Sequence, residues 1–509
     1  MNGPLAIWWI KRDFRLEDNL VLSEGVKSYQ QILPVYCEEP GLLALEDRSI
    51  LHQQACRQAV ASLRRSLARL GSGVFLCHHH VIRALEQIRN WYPFTAILSH
   101  EEIGCDWTYR RDRQVRDWCD AHGIHDQEFP QTGVKRGGIN RDRFTQFWNS
   151  RIVDQKPLPV PTRIPLAETY RQRALESQLP PLVGIPSHAD AWQTVTEPSA
   201  HQVLTSFASK RGYGYSGGIS SPNRAFQSGS RLSVHLAWGT ITPRSIYHTI
   251  QQYLRQYQVE SSARSTQWQR SLQAFLSRLH WRDHFMQRFE MDTDLEFRSL
   301  HPNYRDIPYS NREDHLEAWV HGQTGFPLID AVMRCLHHTG FVNFRMRAMT
   351  VSFACHALHL DWRLIHPYLS GIFRDYEPGI HWNQLQMQAG VSGINTIRVY
   401  DPQKQLREQD PQAEFVREWI PELRHASIAA IHDHHRNPIP GYPRPIVDFD
   451  SATRFMKSAL FGIQQLASSR LVANSIAQRH GSRKRPTSSG SRRSRSAPIT
   501  PSSQASLFD

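Results

Sequence analysis

The sequence predicts an α/β N-terminal domain built on a parallel sheet, followed by an all-α C-terminal domain. Three observations carry this reading. Short apolar runs alternate with helical periodicity over residues 1–150. A proline-rich stretch, 151–200, has no sustained period and reads as an interdomain connector. From 201 to 465 the pattern is mostly helical. At 509 residues the chain exceeds one ordinary core, so two or three domains are expected.

The runs LAIWWI (5–10), ILPVYCE (32–38), GVFLCH (73–78) and TAILSHE (95–101) are apolar and short, which suits buried strands. Between the second and third, Ile50, Leu51, Ala55, Ala59, Leu63, Leu67 and Leu70 recur at helical spacing, and Gly71 stops the helix. No G-x-G-x-x-G follows any strand, so a Rossmann dinucleotide fingerprint is absent. LAIWWI is too short for a membrane span or a signal peptide and runs straight into KRDFR; a cytoplasmic location follows by default.

The later segments SLQAFLSRLHWRDHFMQRF (271–289) and GFPLIDAVMRCLHHTG (325–340) are amphipathic helices, the second stopped by Gly340. Residues 466–509 read as a disordered basic tail rich in Ser, Arg and Pro. The net charge is +13, and residues 470–509 carry seven arginines and one lysine against the single acid Asp509. A basic body with a basic tail points to a polyanion such as nucleic acid, or to charge kept for solubility. The seven cysteines are scattered without a C-x-x-C, which argues against a disulfide framework or a cysteine-rich metal site. CHHH (77–80) and HDHHR (432–436) are rich in histidine, but no thiolate or carboxylate set at ligand spacing accompanies them, and no metal is expected.

Three segments carry chemistry. In SGSRLSVHLAWGTITPR (228–244), Ser230 and Ser233 sit where a helix N-terminus would offer N–H groups to phosphate, or would simply be capped. In FLSRLHWRDHF (275–285), Arg278, Trp281, Arg282 and Phe285 share one helical face. Two guanidiniums beside an indole suit a stacked base near phosphates, or a core tryptophan covered by arginine. In NFRMRAMTVSF (343–353), Arg345 and Arg347 open an apolar helix and need acid partners. Asp375 and Glu377 are the candidates, and with His381 they form either a polar ligand edge or an ordinary ion-pair cluster.

Together IWWIKRDFRLEDNLVL, SRLSVHLAWGTITPR, FLSRLHWRDHF, TGFPLIDAVMRCLHHTGFVNFRMR, DWRLIHPYLSGIFRDYE and IRVYDPQKQ resemble, in order and spacing, the photolyase/cryptochrome flavoproteins over residues 5–460. The resemblance implies a Rossmann-like antenna domain, with a folate, deazaflavin or flavin antenna that no fingerprint identifies, and a helical domain holding a U-shaped FAD. Ser230, Arg231, Leu232 and Ser233 would cradle the FAD phosphates with Arg282 close by. Arg345 belongs to the same cofactor set, and Tyr215 is a looser match to an upstream FAD-contacting tyrosine. Asp375, Tyr376 and Glu377 would meet the flavin and ribitol, Arg347 would pair with Asp375 beneath the ring, and His381 would face flavin N5.

The implied activity is light-driven repair of pyrimidine dimers in UV-damaged DNA by electron donation from reduced FAD, with the flipped lesion stacked on Trp281. Some residues depart from the family pattern. Arg278 stands where dimer-repairing members carry Glu, and Phe344 and Ala348 stand for Asn and Met. Leu385 occupies the flavin-proximal position of the indole relay, with Trp362 in the middle and Tyr309 outermost, so the relay is broken at its first step unless Trp382 substitutes. These departures keep open a blue-light sensor of the cryptochrome kind, and a light-independent DNA-binding flavoprotein. The final QASLFD resembles a bacterial sliding-clamp-binding peptide through Gln504, Leu507 and Phe508. A monomer is expected.

Overall fold

The computed structural model describes residues 4–260 and 262–481. Five parallel strands, β1 (Leu5–Ile10), β2 (Gln31–Cys37), β3 (Phe75–Cys77), β4 (Ala96–His100) and β5 (His125–Phe129), lie in the order β3-β2-β1-β4-β5. β1 is central, pairing Leu5 with Gln31 on one side and Ala6 with Ala96 on the other. That position explains LAIWWI. Every residue of it is buried, with Ala6, Trp8 and Ile10 in the core on one face and Leu5, Ile7 and Trp9 in the core on the other. Helix Ile50–Arg69 packs Ala55, Ala59, Leu63 and Leu67 into the first of these cores, as its spacing predicts.

β5 has no counterpart among the four apolar runs. Its sequence HDQEF exposes alternate residues at the sheet edge, so it carries no hydrophobic signal. The expected connector is more structured than a surface tether. Within it Ile32 N donates to Pro165 O at 3.0 Å, Ile164 N donates to Leu70 O at 3.1 Å, and helix Glu168–Glu176 buries Tyr170 and Ala174 against the sheet. The expected boundary at residue 150 also cuts a helical stretch: Phe144, Trp148 and Ile152 belong to the core of the helical half, with Phe207, Phe275 and Leu279.

The helical half is organised by helix Ala263–Met291, opened by a capping box between Ser262 and Ser265. It runs beside helix Pro378–Gln388. Helix Pro327–Thr339 ends at Gly340, whose φ of 68° is a left-handed C-cap. The start of the tail expected from 466 is ordered: Ala467–His480 is helical and is pinned where His301 Nε2 meets Ser469 O at 3.0 Å, and the rest of the expected tail from 482 lies outside the described residues. The segment with Gln504, Leu507 and Phe508 lies outside the described residues. No described helix is long and apolar enough to cross a membrane. Among the described residues no group of three or more His, Cys, Asp or Glu side chains is placed to hold a metal ion; His78 meets Glu38 at 3.2 Å and His434 meets Pro443 O at 2.9 Å.

The two halves join at the C-terminal edge of the sheet, where ligands of open α/β sheets gather. Arg12, just after β1, reaches Glu377 Oε1 at 3.1 Å and Tyr376 O at 2.9 Å. Tyr376 Oη donates to Asp47 at 2.7 Å, and His52 Nε2 lies 3.0 Å from Phe373 O.

Candidate flavin site

A cavity of about 380 Å³ opens in the helical half. Tyr215, Ser230, Arg231, Leu232, Ser233, Arg278, Trp281, Arg282, Arg345, Arg347, Asp375, Tyr376, Glu377 and His381 all line it. Trp362 does not. It is buried at 1% exposure and packs edge-on to Trp382 at 5.9 Å. The three segments singled out in the sequence and their partners Asp375, Glu377 and His381 therefore meet at one place, although they lie far apart along the chain.

The floor is ionic. Arg347 grips Asp375 with two parallel bonds, 2.9 and 3.0 Å, and its Nε donates to Val342 O at 2.9 Å. Its guanidinium also lies 4.2 Å over the Phe373 ring. Glu377 is held from both halves, by Arg12 at 3.1 Å and Arg282 at 2.9 Å. Burial raises the Glu377 carboxyl while those two guanidiniums pull it back. Arg282 is anchored in turn by Asp283 at 2.8 Å, whose other oxygen accepts from Gly133 N and Trp148 Nε1, each at 2.9 Å. A Cβ on Gly133 would come within 2.1 Å of the Trp148 ring, so only glycine allows this approach.

The SRLS stretch turns sharply. Arg231 has φ 59°, a left-handed conformation costly for a side chain, and its carbonyl is held by Gln193 Nε2 at 2.7 Å. Leu232 is the cap of the short helix Ser233–Ala237 and Ser230 Oγ accepts from Leu232 N at 3.4 Å, so neither serine is a plain N-cap. The half-buried residues Arg278, Trp281, Phe344 and Arg345 form the accessible side of the cavity. Tyr215 is hydrogen-bonded by Arg278, which draws its phenol down, while burial pushes it up to about 12.

His381 lines the cavity, and its Nε2 lies 3.0 Å from His366 Nδ1. Burial drives the His381 pKa well below the ordinary value. Leu385, Phe344 and Ala348 also line the cavity. Trp382 sits behind His366 with rings stacked at 3.7 Å, and its Nε1 is buried without a partner.

Sequence reasoning missed Asn343 and Arg12. Asn343 Nδ2 donates to Ile219 O at 2.7 Å and to Ser220 O at 3.0 Å, which leaves its Oδ1 a buried acceptor with no protein partner. Such an atom in a cavity wall calls for a donor from a ligand. A signal for Arg12 existed in KRDFR, placed at the C-terminal end of the central strand.

The family model described as FAD binding domain of DNA photolyase matches residues 275–461, and that described as DNA photolyase matches residues 6–161. The chain belongs to the photolyase/cryptochrome family. A deoxyribodipyrimidine photo-lyase of Alkalihalophilus pseudofirmus is 26% identical over 459 residues, covering 85% of this chain and 90% of that protein. The cryptochrome of Synechocystis sp. superposes with a TM-score of 0.78 at 24% identity, covering 90% of this chain and 99% of that one. A Sulfolobus tokodaii photolyase, solved with two FAD molecules, superposes with a TM-score of 0.74 at 24% identity, covering 90% of this chain and 100% of that one. The fold is that of these photolyases and cryptochromes, a parallel-sheet half and a helical FAD-binding half.

The residues present fit FAD. Apolar Leu232, Phe285, Val342, Ile380 and Leu385 suit a flat ring system, the guanidiniums suit a pyrophosphate, and Asn343 Oδ1 awaits a donor.

Proposed function

We propose that this photolyase/cryptochrome protein is a light-driven DNA photolyase that repairs UV-induced pyrimidine dimers. The observation that carries the reading is a single cavity with an ionic floor and an accessible indole, Trp281, which shares the lining with Arg278 and Arg345. Reduced FAD, when bound, supplies the photoexcited electron that splits the dimer. Arg347–Asp375 and Arg282–Glu377 orient the cofactor by fixed charge. Trp281 offers a stacking face to a base pair flipped from the duplex, a flip that costs less for a damaged pair. Arg278 and Arg345 attract phosphates, and binding weakens as salt rises.

A cryptochrome-like sensor is the second reading, favoured by specific side chains. Arg278, Phe344 and Ala348 replace the usual lesion contacts, and Leu385 lines the cavity where an oxidisable ring would stand. One assay separates the two. The FAD-loaded protein, chemically reduced, is illuminated with oligonucleotides bearing a cyclobutane dimer or a (6-4) photoproduct. Repair of either supports the photolyase; repair of neither leaves the sensor.

Two companion proposals follow. A second, light-harvesting chromophore in the sheet-bearing half is supported by the Sulfolobus tokodaii photolyase and its two FAD molecules. A sliding clamp as partner is supported by Gln504, Leu507 and Phe508. Deleting Leu507 and Phe508 abolishes clamp pull-down if that contact exists.

A further inference from the structure

We propose that His366 is a positioning and relay residue: it hands on the proton that His381 gives to the ligand of the cavity, and the two imidazoles form a proton wire through the cavity wall. The inference rests on the reading that the ligand is a flavin, whose reduction takes up protons. His381 stands on helix Pro378–Gln388 and His366 on helix Trp362–Ile372. Their contact, His381 Nε2 to His366 Nδ1 at 3.0 Å, accommodates one proton: two bare nitrogens repel and two N–H groups clash. With His366 as the donor, the remaining proton of His381 is on Nδ1, the nitrogen left for a ligand. His366 then keeps a bare Nε2, for which no hydrogen-bond partner is found among the described residues, and the residue retains 8% of its surface.

The surroundings hold this geometry and keep it neutral. His366 stacks on Trp382 at 3.7 Å, and His381 stands edge-on to Tyr376 at 5.2 Å. The charges facing the pair are themselves matched. Arg48, beside His366, pairs with Asp47 at 3.4 Å; Asp375, beside His381, pairs with Arg347. Burial, helped by Arg48, lowers His366 to about 3, and burial together with His366 lowers His381. A neutral pair cannot store a proton as a stable cation, but it can pass one by exchanging tautomers.

The step balances. The N–H bond at His381 Nδ1 breaks and its proton goes to the flavin. His381 Nε2 takes the Nδ1 proton of His366, and His366 Nε2 takes one from water, whose hydroxide is neutralised by buffer. Electrons come from an external thiolate, already deprotonated at the pH used, so that its oxidation releases no proton, and neither ring is oxidised. One proton has moved inward, both rings have changed tautomer, and the hydrogen bond has reversed direction.

The test uses the full chain loaded with FAD, in weak buffer with a pH-indicator dye and a low-pKa thiol donor held above its pKa as the thiolate, following proton uptake after a light pulse. His366→Phe keeps the stack on Trp382 and His366→Gln keeps a hydrogen bond to His381, but neither relays. Proton uptake slows on the order of a hundredfold in both, the scale of a lost positioned proton donor. Added imidazole restores it in His366→Ala. Wild-type uptake rates in both variants at unchanged FAD content overturn the proposal. Should the variants release FAD, the unaltered protein decides. Ring ¹⁵N spectra show one proton shared between the two histidines in the apoprotein. In the loaded protein the protonated nitrogen exchanges in both rings on reduction, and spectra unchanged by reduction overturn the relay. Failure of the wild-type chain to take up FAD at all defeats the flavin reading instead.

Discussion

Asp375 is the acid that neutralises the floor of the cavity, and its loss leaves the half-buried Arg347 over the Phe373 ring without this counter-ion. Asp375→Asn lowers stability by about 3 kcal/mol, the low end for breaking a buried pair, and releases FAD; urea melts and flavin fluorescence measure both. At the accessible side, Trp281→Ala weakens binding of lesion-bearing DNA by about 1–3 kcal/mol while FAD content stays constant, as loss of a stacking face requires. Titration with undamaged and damaged oligonucleotides distinguishes this from a general loss of affinity. Leu385 cannot be oxidised, so Leu385→Trp speeds photoreduction of the bound flavin, followed by the bleaching of its visible absorption. An unchanged rate would show that electrons enter by another route. The cost of the larger ring in a formed wall is about 1–3 kcal/mol.

At the scale of elements, the cavity floor depends on how one helix stops. Gly340 ends helix Pro327–Thr339 in a left-handed turn, and its carbonyl accepts from Arg374 N at 3.0 Å, next to Asp375. A Cβ there would stand 3.0 Å from Arg374 Cβ. Gly340→Ala therefore costs about 1–2 kcal/mol for the backbone conformation alone, and loosens the floor; a lowered thermal midpoint with weakened FAD retention is the expected pair of results. This stop was legible in the sequence, as was the shared face of Arg278, Trp281, Arg282 and Phe285, because both follow from local spacing. β5 was not, since an edge strand with one buried residue gives no periodic apolar signal. The packing of the connector was not legible for a related reason. Proline removes the period, yet Pro165 lends its carbonyl to Ile32 and the segment packs on the sheet.

Across the whole molecule, His52 lies at the seam between the halves. It is buried against Tyr376 and Trp238 and bonded to Phe373 O, and burial lowers its pKa to about 3, with Arg48 adding to the effect. The folded state keeps this ring neutral while the unfolded chain protonates it near its ordinary value of 6.5. Its contribution is thus present above pH 6.5 and is lost as pH falls toward 3. Between pH 7 and 5 the loss amounts to about 2 kcal/mol. His52→Gln flattens that part of the stability–pH profile, so the wild-type advantage over the variant shrinks at pH 5. Equal differences at both pH values would assign the slope to other groups.

The sequence by itself determined which residue types were available and in what order. The alternation of strands and helices, the amphipathic faces and the ordered motifs all lie within short windows, where spacing dictates geometry. Only the tertiary structure decided who meets whom. Arg12 reaches Glu377 across 365 positions, Asn343 is left with an orphaned acceptor, Trp362 stands outside the cavity wall, and His366 joins His381. Those outcomes depend on how helices distant in sequence pack together and, for Arg12, on how the two halves meet, and a hydrogen bond between distant residues has no periodicity that a chain read in order could display.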